Sequence, residues 1–353
     1  MNKELIHITK KLISFQTTQD KEEIKKCFNF IKKEMKGFKI KEYNINGKRS
    51  LVIFLGRDRK KFDIILNGHI DVVPAEKNEF KPKIKNGKIY GRGSYDMKSG
   101  CAIGILLMKK LRPKNVALIL TSDEEIGGEN GTGFLVKKGY RAKFVIVLEG
   151  TKEKVVAERK GVLKLSITAK GKSVHASKPW DGINAIEKLI NCYLDIKKTF
   201  PKITKKSSYE KKWQRTINLG VIRGGDVVNK VPDYAEMGID IRFNRKENPK
   251  KILNKIKLIS RKHNCSVKID HISPITFTDI KNIYVKKILE SSKLKIKKQL
   301  GASDSRFFSE KGMPVVDIGP KGKNVHAKGE FVYIKSMEKI YKILEKFISE
   351  LKS

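Results

Sequence analysis

Between residues 50 and 150 the chain alternates short apolar runs with amphipathic stretches. The runs are LVIFLG (51–56), DIILNGHIDVV (63–73), VALILTSDEE (116–125) and FVIVLEG (144–150), and helices are expected to start near Asp96 and Gly133. Runs rich in Val, Ile and Leu, separated by helices, suit a mostly parallel sheet covered on both faces. In such sheets a site forms where the carboxyl ends of strands emerge into loops. Polar residues cluster at those ends: His69 and Asp71 in one run, Asp123, Glu124 and Glu125 in another, Glu149 in a third.

From about 160 the period changes. VLKLSITAKG (162–171) alternates apolar and polar residues as a half-buried strand does. A helix is expected from about Gly182 to Lys198, strands at TINLGVIRGG (216–225) and AEMGIDIRF (235–243), a helix over PKKILNKIKLISRKHN (249–264) and a strand at SVKIDHI (266–272). Strand, helix, strand, strand, helix, strand is the order of a small ferredoxin-like α+β sandwich with one open sheet face. After about 272 the αβ alternation resumes, with a helix near 280–292, the strand PVVDIG (314–319) and a final helix from Ser336. The expected fold class is α/β. A larger domain over 1–160 and 273–353 holds a mostly parallel mixed sheet between helices, and a smaller α+β domain over 161–272 is inserted into it.

A length of 353 residues agrees with two domains, and a hydrophobic content of 39% is too high for a disordered chain. Near the N-terminus Leu5, Ile6, Ile8, Leu12 and Ile13 fall at helical spacing with lysines between them, unlike a signal peptide. No stretch approaches the ~20 apolar residues that span a bilayer, so a cytoplasmic protein with no membrane partner is expected. Cys27, Cys101, Cys192 and Cys265 stand far apart among apolar neighbours and are expected to be buried, reduced thiols. The formal charge of +40 could attract nucleic acid, acidic membranes or anionic metabolites. The lysines, however, are spread over nearly every segment, with neither an aromatic RNA-binding signature nor a recognition helix. A Lys/Ile-rich composition with some thermal adaptation explains the charge at least as well, and specific nucleic-acid binding is not expected.

Of six histidines, His7, His263 and His271 sit in ordinary helix or strand contexts. The others occupy polar loops: His69 in NGHID (67–71), His175 in SVHAS (173–177) and His326 in NVHAKGE (324–330). Their acidic partners are Asp71, Asp96, Glu124, Glu125 and Glu149. Asp96 lies in YGRGSYDMKSG (90–100), where glycines permit a close backbone approach, although Asp there also suits a helix N-cap. Asp123-Glu124-Glu125 could equally form a solvated acidic turn. Glu149 ends a very apolar strand, where an unpaired carboxylate is expensive, so a cation or arginine partner is expected. One histidine, a bridging carboxylate and a further carboxylate can hold one ion, with a mirrored set for a second. Imidazole and carboxylate donors suit zinc, cobalt or manganese. Two ions about 3.5–4 Å apart polarise a carbonyl and acidify a shared water, and a free carboxylate nearby can act as general base.

The order GHIDVVP (68–74), YGRGSYDMKSG (90–100), TSDEEIGG (121–128), LEGT (148–151), GKSVHASKPWDGINAI (171–186), GASDSRFF (301–308) and VHAKGEFV (325–332) closely resembles one family of di-zinc metallopeptidases. It contains the aminoacylases, acetylornithine deacetylases, succinyl-diaminopimelate desuccinylases and related carboxypeptidases. The resemblance covers essentially the whole chain. It implies that His69 and Glu149 bind one zinc, that Glu125 and His326 bind the other, and that Asp96 bridges them. It makes Asp71 the carboxylate that orients His69, Glu124 the general base and His175 an oxyanion-stabilising residue of the inserted domain. That domain is implied to act as lid and to form a homodimer. Arg306 and Arg242 resemble residues that grip substrate carboxylates, although both could be surface ion-pair partners, and Asn229 matches a substrate-side asparagine of the family. Glu149-Gly150-Thr151 departs from the usual Glu-Pro-Thr, keeping the ligand in a less rigid turn.

The implied activity is metal-dependent hydrolysis of an N-acyl amino acid such as succinyl-diaminopimelate or acetylornithine, with two Zn ions and Co or Mn as substitutes. The SDSRF segment points to the succinyl choice. A dipeptidase or carboxypeptidase using the same site is the alternative within the family, and a basic nucleic-acid-binding protein is the alternative outside it.

Overall fold

The structure, a computed structural model, describes residues 2–351, in two compact units. The larger runs up to Glu158 and resumes over Thr276–Gln299 and from Ser303; the smaller takes Arg159–Ile275 and Leu300–Ala302.

The larger unit is built on a nine-stranded mixed sheet. Its middle strands, Val116–Thr121, Lys61–His69, Arg141–Val147 and Val315–Asp317, lie side by side and parallel. This is the α/β class with a largely parallel sheet that the apolar runs predict. Alternation within the runs explains why they are apolar throughout. Leu51, Ile53, Ile64, Leu66, Leu118, Leu120 and Ile146 enter one core, beneath helices Lys3–Ser14, Lys98–Leu111 and Ile334–Glu350. Val52, Phe54, Ile65, Ala117, Ile119, Val145 and Val147 enter the other, with Leu135, Val136, Phe307 and Phe308 of helices Thr132–Lys137 and Ser305–Glu310. Successive side chains of a strand point to opposite faces, so a strand covered on both sides has no polar positions to spare.

The Lys48–Phe54 strand departs from the parallel pattern. It runs antiparallel to Val116–Thr121 and forms a hairpin with Lys39–Ile45. Asn46 and Gly47 make the hairpin turn with φ of 51° and 79°, the left-handed pair that matches strand twist. A separate small sheet, ordered Gly322–Lys323, Phe331–Tyr333, Lys88–Tyr90, Lys83–Lys85, frames the loops 91–97 and 324–330. Those loops carry Asp96 and His326.

The smaller unit is a four-stranded antiparallel sheet ordered Thr216–Gly224, Tyr234–Phe243, Gly161–Lys170, Cys265–Ser273. Helices Ala185–Lys198 and Pro249–Lys262 cover one face, packing Leu189, Cys192, Ile196 and Ile256 on Leu163, Leu165, Ile167, Met237 and Ile239. Element order and strand order together are those of a split βαβ sandwich. All four cysteines are buried and unpaired, and among the described residues no helix is long and apolar enough to cross a membrane.

Candidate metal centre

His69 is the last residue of its strand and is 1% exposed. Its Nδ1 lies 3.0 Å from the main-chain oxygen of Asp71. A carbonyl can only accept, so Nδ1 carries the proton and Nε2 presents a lone pair. That Nε2 is buried without a hydrogen-bond partner. Around it stand Asp96 Oδ1 at 3.4 Å, Glu149 Oε1 at 3.7 Å and Glu124 Oε2 at 4.0 Å.

Asp96 is not a helix cap. The next helix begins at Lys98 with Met97 in the cap position, and no side chain caps it. The Asp96 carboxylate instead stands between His69 and His326, whose Nε2 lies 3.2 Å from Asp96 Oδ2 and 3.1 Å from Glu125 Oε2. Two trios result, His69–Asp96–Glu149 and Asp96–Glu125–His326, each with donor atoms within 4.8 Å of one another. Each offers one imidazole and two carboxylates, and Asp96 belongs to both. An orphaned imidazole lone pair facing several carboxylates is what a divalent cation would complete, so these residues fit a metal of the zinc class.

Asp71, wholly buried, organises the neighbouring turn. Its carboxylate accepts from the main-chain N–H groups of Glu124 at 3.2 Å and Glu125 at 3.0 Å, and from Gln19 Nε2 at 3.2 Å. Lys48 in turn donates to Gln19 Oε1 at 2.6 Å. Toward His69, the Asp71 carboxylate oxygen lies 3.5 Å from Nδ1, behind the shorter contact of its own carbonyl. Nor is 123–125 a solvated acidic turn: Asp123 is 1% exposed and its carboxylate accepts from Asn130 N and Gly131 N at 3.0 and 2.9 Å.

Arg306 is 4% exposed, which removes it from the surface. It donates to the carbonyls of Ser303 at 2.8 Å and Gly127 at 2.6 Å, and its guanidinium comes within 3.8 Å of Glu124 Oε1. The remaining three residues lie in the smaller unit. Arg242 forms a fork on Asp240 with bonds of 2.6 and 3.0 Å. His175 is exposed; its Nδ1 accepts from Ser177 N at 3.2 Å and lies 2.7 Å from Ser177 Oγ. Asn229 sits beside it, its carbonyl accepting from Ala176 N at 2.9 Å.

Proton affinities follow from these surroundings. In the ion-free protein burial works to discharge His69, but Asp71, Asp96 and Glu149 outweigh it and hold the imidazole pKa well above the ordinary value, so that a proton takes the place on Nε2 that a cation would otherwise fill. Burial alone would raise Asp96, yet His326 and His69 hold it below the usual carboxylate range. His326 is pushed up to about 9, chiefly by Asp96. Burial lifts Glu125 to about 7 and Glu124 well above the carboxylate range, Asp304 and Glu149 adding to the rise at Glu124.

Gln19, Arg92 and Glu330 also shape this site and are not predicted by the motifs. Glu330 falls inside VHAKGEFV, where a buried acid after the histidine was the available signal; Gln19 carries no local signal at all.

Imidazole and carboxylate groups gathered at the carboxyl ends of parallel strands are the layout of a metal-dependent hydrolase. Residues 65–350 match the peptidase family M20/M25/M40, and the chain belongs to that family. Its relatives include a succinyl-diaminopimelate desuccinylase of Buchnera aphidicola, 26% identical over 381 residues that cover 99% of this chain and 100% of the relative. A LysW-lysine/LysW-ornithine hydrolase of Sulfurisphaera tokodaii is 29% identical, covering 96% of this chain and 92% of its own. An M20 family metallo-carboxypeptidase from Sulfolobus solfataricus has the same fold, with a TM-score of 0.79, 20% identity and 99% of both chains covered. The family resemblance read from the motifs is borne out, and the chain is a metal-dependent hydrolase.

Proposed function

We propose that this chain hydrolyses the amide bond of a small N-acyl amino acid of the succinyl-diaminopimelate or acetylornithine kind, using two divalent ions. The observation that carries this reading is Asp96, shared by two donor trios with Glu124 alongside. His69 and Glu149 would hold one ion, Glu125 and His326 the other, and Asp96 would serve both; zinc is the first choice, with cobalt or manganese as substitutes. The ions supply Lewis acidity for the scissile carbonyl and acidify a water.

The chain's own groups do the rest. Glu124, whose carboxylate lies 4.0 Å from His69 Nε2 and 3.8 Å from Arg306, takes the proton from the attacking water and passes it to the leaving amine. Asp71 fixes Glu124 and Glu125 through their main-chain N–H groups. At His175, Ser177 N occupies Nδ1, which leaves an Nε2–H to donate to a developing oxyanion. Arg306 commits one bond from each Nη to a carbonyl and has donors to spare for a substrate carboxylate. Arg242 and Asn229 are assigned to the substrate side as well. The smaller unit serves as lid and homodimer surface: Ile190 and Leu194, one helical turn apart, and Val221 and Ile222 on its edge strand are exposed apolar residues.

The desuccinylase named among the relatives supports the succinyl choice. The test is a panel of N-succinyl and N-acetyl amino acids and dipeptides, assayed with and without chelator. Chelator-sensitive cleavage of an acyl amino acid is expected. Turnover of dipeptides alone, with every acyl amino acid inert, would replace this reading with a dipeptidase.

A further inference from the structure

Glu330 is a buried carboxylate that the reaction outlined above leaves without a role. It is 1% exposed and lies on the loop that carries His326. Its Oε2 accepts from Arg92 Nη1 at 2.8 Å and Gly93 N at 2.9 Å; its Oε1 accepts from Tyr95 N at 2.7 Å and Asp96 N at 3.0 Å. The Glu330 main-chain oxygen accepts from Gly91 N at 2.9 Å. A buried carboxylate is tolerated when charged and backbone donors satisfy it, and here every side-chain acceptance comes from the loop ending at Asp96.

The location matters as much as the bonding. Strand pairing between Phe331–Tyr333 and Lys88–Tyr90 ends at Phe331 opposite Tyr90. Glu330 is the next residue, so its side chain continues the linkage after the ladder stops. His69 ends a long strand of the main sheet, and Glu149 follows another closely. His326 has no such anchor. It sits on a loop between a two-residue and a three-residue strand, with φ of 58°, a left-handed conformation uncommon outside glycine.

We propose that Glu330 is a positioning residue that clamps the Asp96 loop to the His326 loop, and so sets the affinity of the Asp96–Glu125–His326 trio for its ion. This rests on the two-ion reading above. Glu330→Gln places an amide N–H₂ against donors and breaks the clamp without changing side-chain size. Arg92→Met removes one donor and leaves the three main-chain N–H groups.

The experiment is a titration of ion-free parent and variants with cobalt(II), followed by visible absorption and by competition with a chromophoric chelator. Melting curves of the ion-free proteins accompany it, and His326→Ala identifies which ion belongs to which trio. The parent should bind two ions. In Glu330→Gln the ion that His326→Ala removes should weaken about 10- to 100-fold, the size of effect typical for groups that orient metal ligands, while the other stays within about twofold. In a His326→Ala background, Glu330→Gln should change the remaining ion by less than about twofold, since the 324–330 loop then carries no ligand for the clamp to position. Equal weakening of both ions, or of neither, would overturn the proposal and leave the two-ion reading intact. Fewer than two ions in the parent would overturn both. Should Glu330→Gln not fold, Arg92→Met decides: a smaller loss confined to the same ion is expected, and an equal or absent loss refutes the clamp.

Discussion

Gly100 tests how closely the start of helix Lys98–Leu111, just after Asp96, packs on the segment that leaves strand Arg141–Val147 toward Glu149. It lies in the first turn of helix Lys98–Leu111, and a methyl group there would stand 2.0 Å from the main-chain oxygen of Leu148. Propensity alone predicts that alanine inside a helix stabilises by about 0.5–1 kcal/mol relative to glycine. Packing opposes this. Real Cβ atoms essentially never approach another heavy atom closer than 3.0 Å, so helix and strand would have to part by about 1 Å or more. The obstacle is backbone, with no flexible side chain to swing away. Overpacking of this kind costs about 1–3 kcal/mol, which exceeds the gain in propensity. Asp96 lies four residues before Gly100, in the loop that enters the helix, and Glu149 follows Leu148 directly, so the same displacement opens the His69–Asp96–Glu149 trio. Misplacement of about 1 Å at a reacting centre costs on the order of 100-fold in rate. Gly100→Ala should therefore melt below the parent, retain less metal after gel filtration, and lose about two orders of magnitude in kcat/KM. A variant with parental melting temperature, metal content and turnover would show that this contact does not set the site.

Three further outcomes are expected. Glu124→Ala should lose about 10²- to 10⁴-fold in turnover while elemental analysis finds its metal content unchanged; activity within a few-fold of the parent would remove Glu124 as the base. His175→Ala should slow catalysis strongly without lowering bound metal, and metal lost from that variant would make His175 a ligand. In chelator-treated protein, His326 has a folded pKa of about 9 against an ordinary value near 6.5. Its pairing with Asp96 therefore stabilises fully below about pH 6.5 and is lost as pH rises through about 9. Melting temperature should fall across that window, and His326→Ala should flatten the fall; an unchanged slope in the variant would contradict the assignment.

What could be read in advance follows from burial. The run DIILNGHIDVV is legible because Ile64 and Leu66 serve one core and Ile65 the other. Its end is not legible, because Ile70 and Val72 are buried in the loop beyond His69, so apolar character outlasts the strand. VLKLSITAKG alternates because only one face of its sheet is covered by helices. The Lys39–Ile45 strand escapes notice: it lies at the sheet edge, carries polar residues and has no buried position. Strands of two or three residues, such as Gly322–Lys323 and Lys88–Tyr90, are too short for any period to emerge, yet they place Asp96 and His326. The donor types at strand ends were visible as residues. Their convergence, and the supporting bonds from Gln19 and Glu330, depend on contacts between segments far apart in the chain.

The number of divalent ions bound per chain tests the shared-Asp96 site most directly. Elemental analysis of the purified protein, repeated after chelation and retitration with zinc or cobalt, should give two ions per chain, with amide hydrolysis lost on chelation and regained on refilling. A chain that takes up no ion and cleaves none of the acyl amino acids or dipeptides when zinc or cobalt is restored would leave the fold standing and contradict the catalytic assignment.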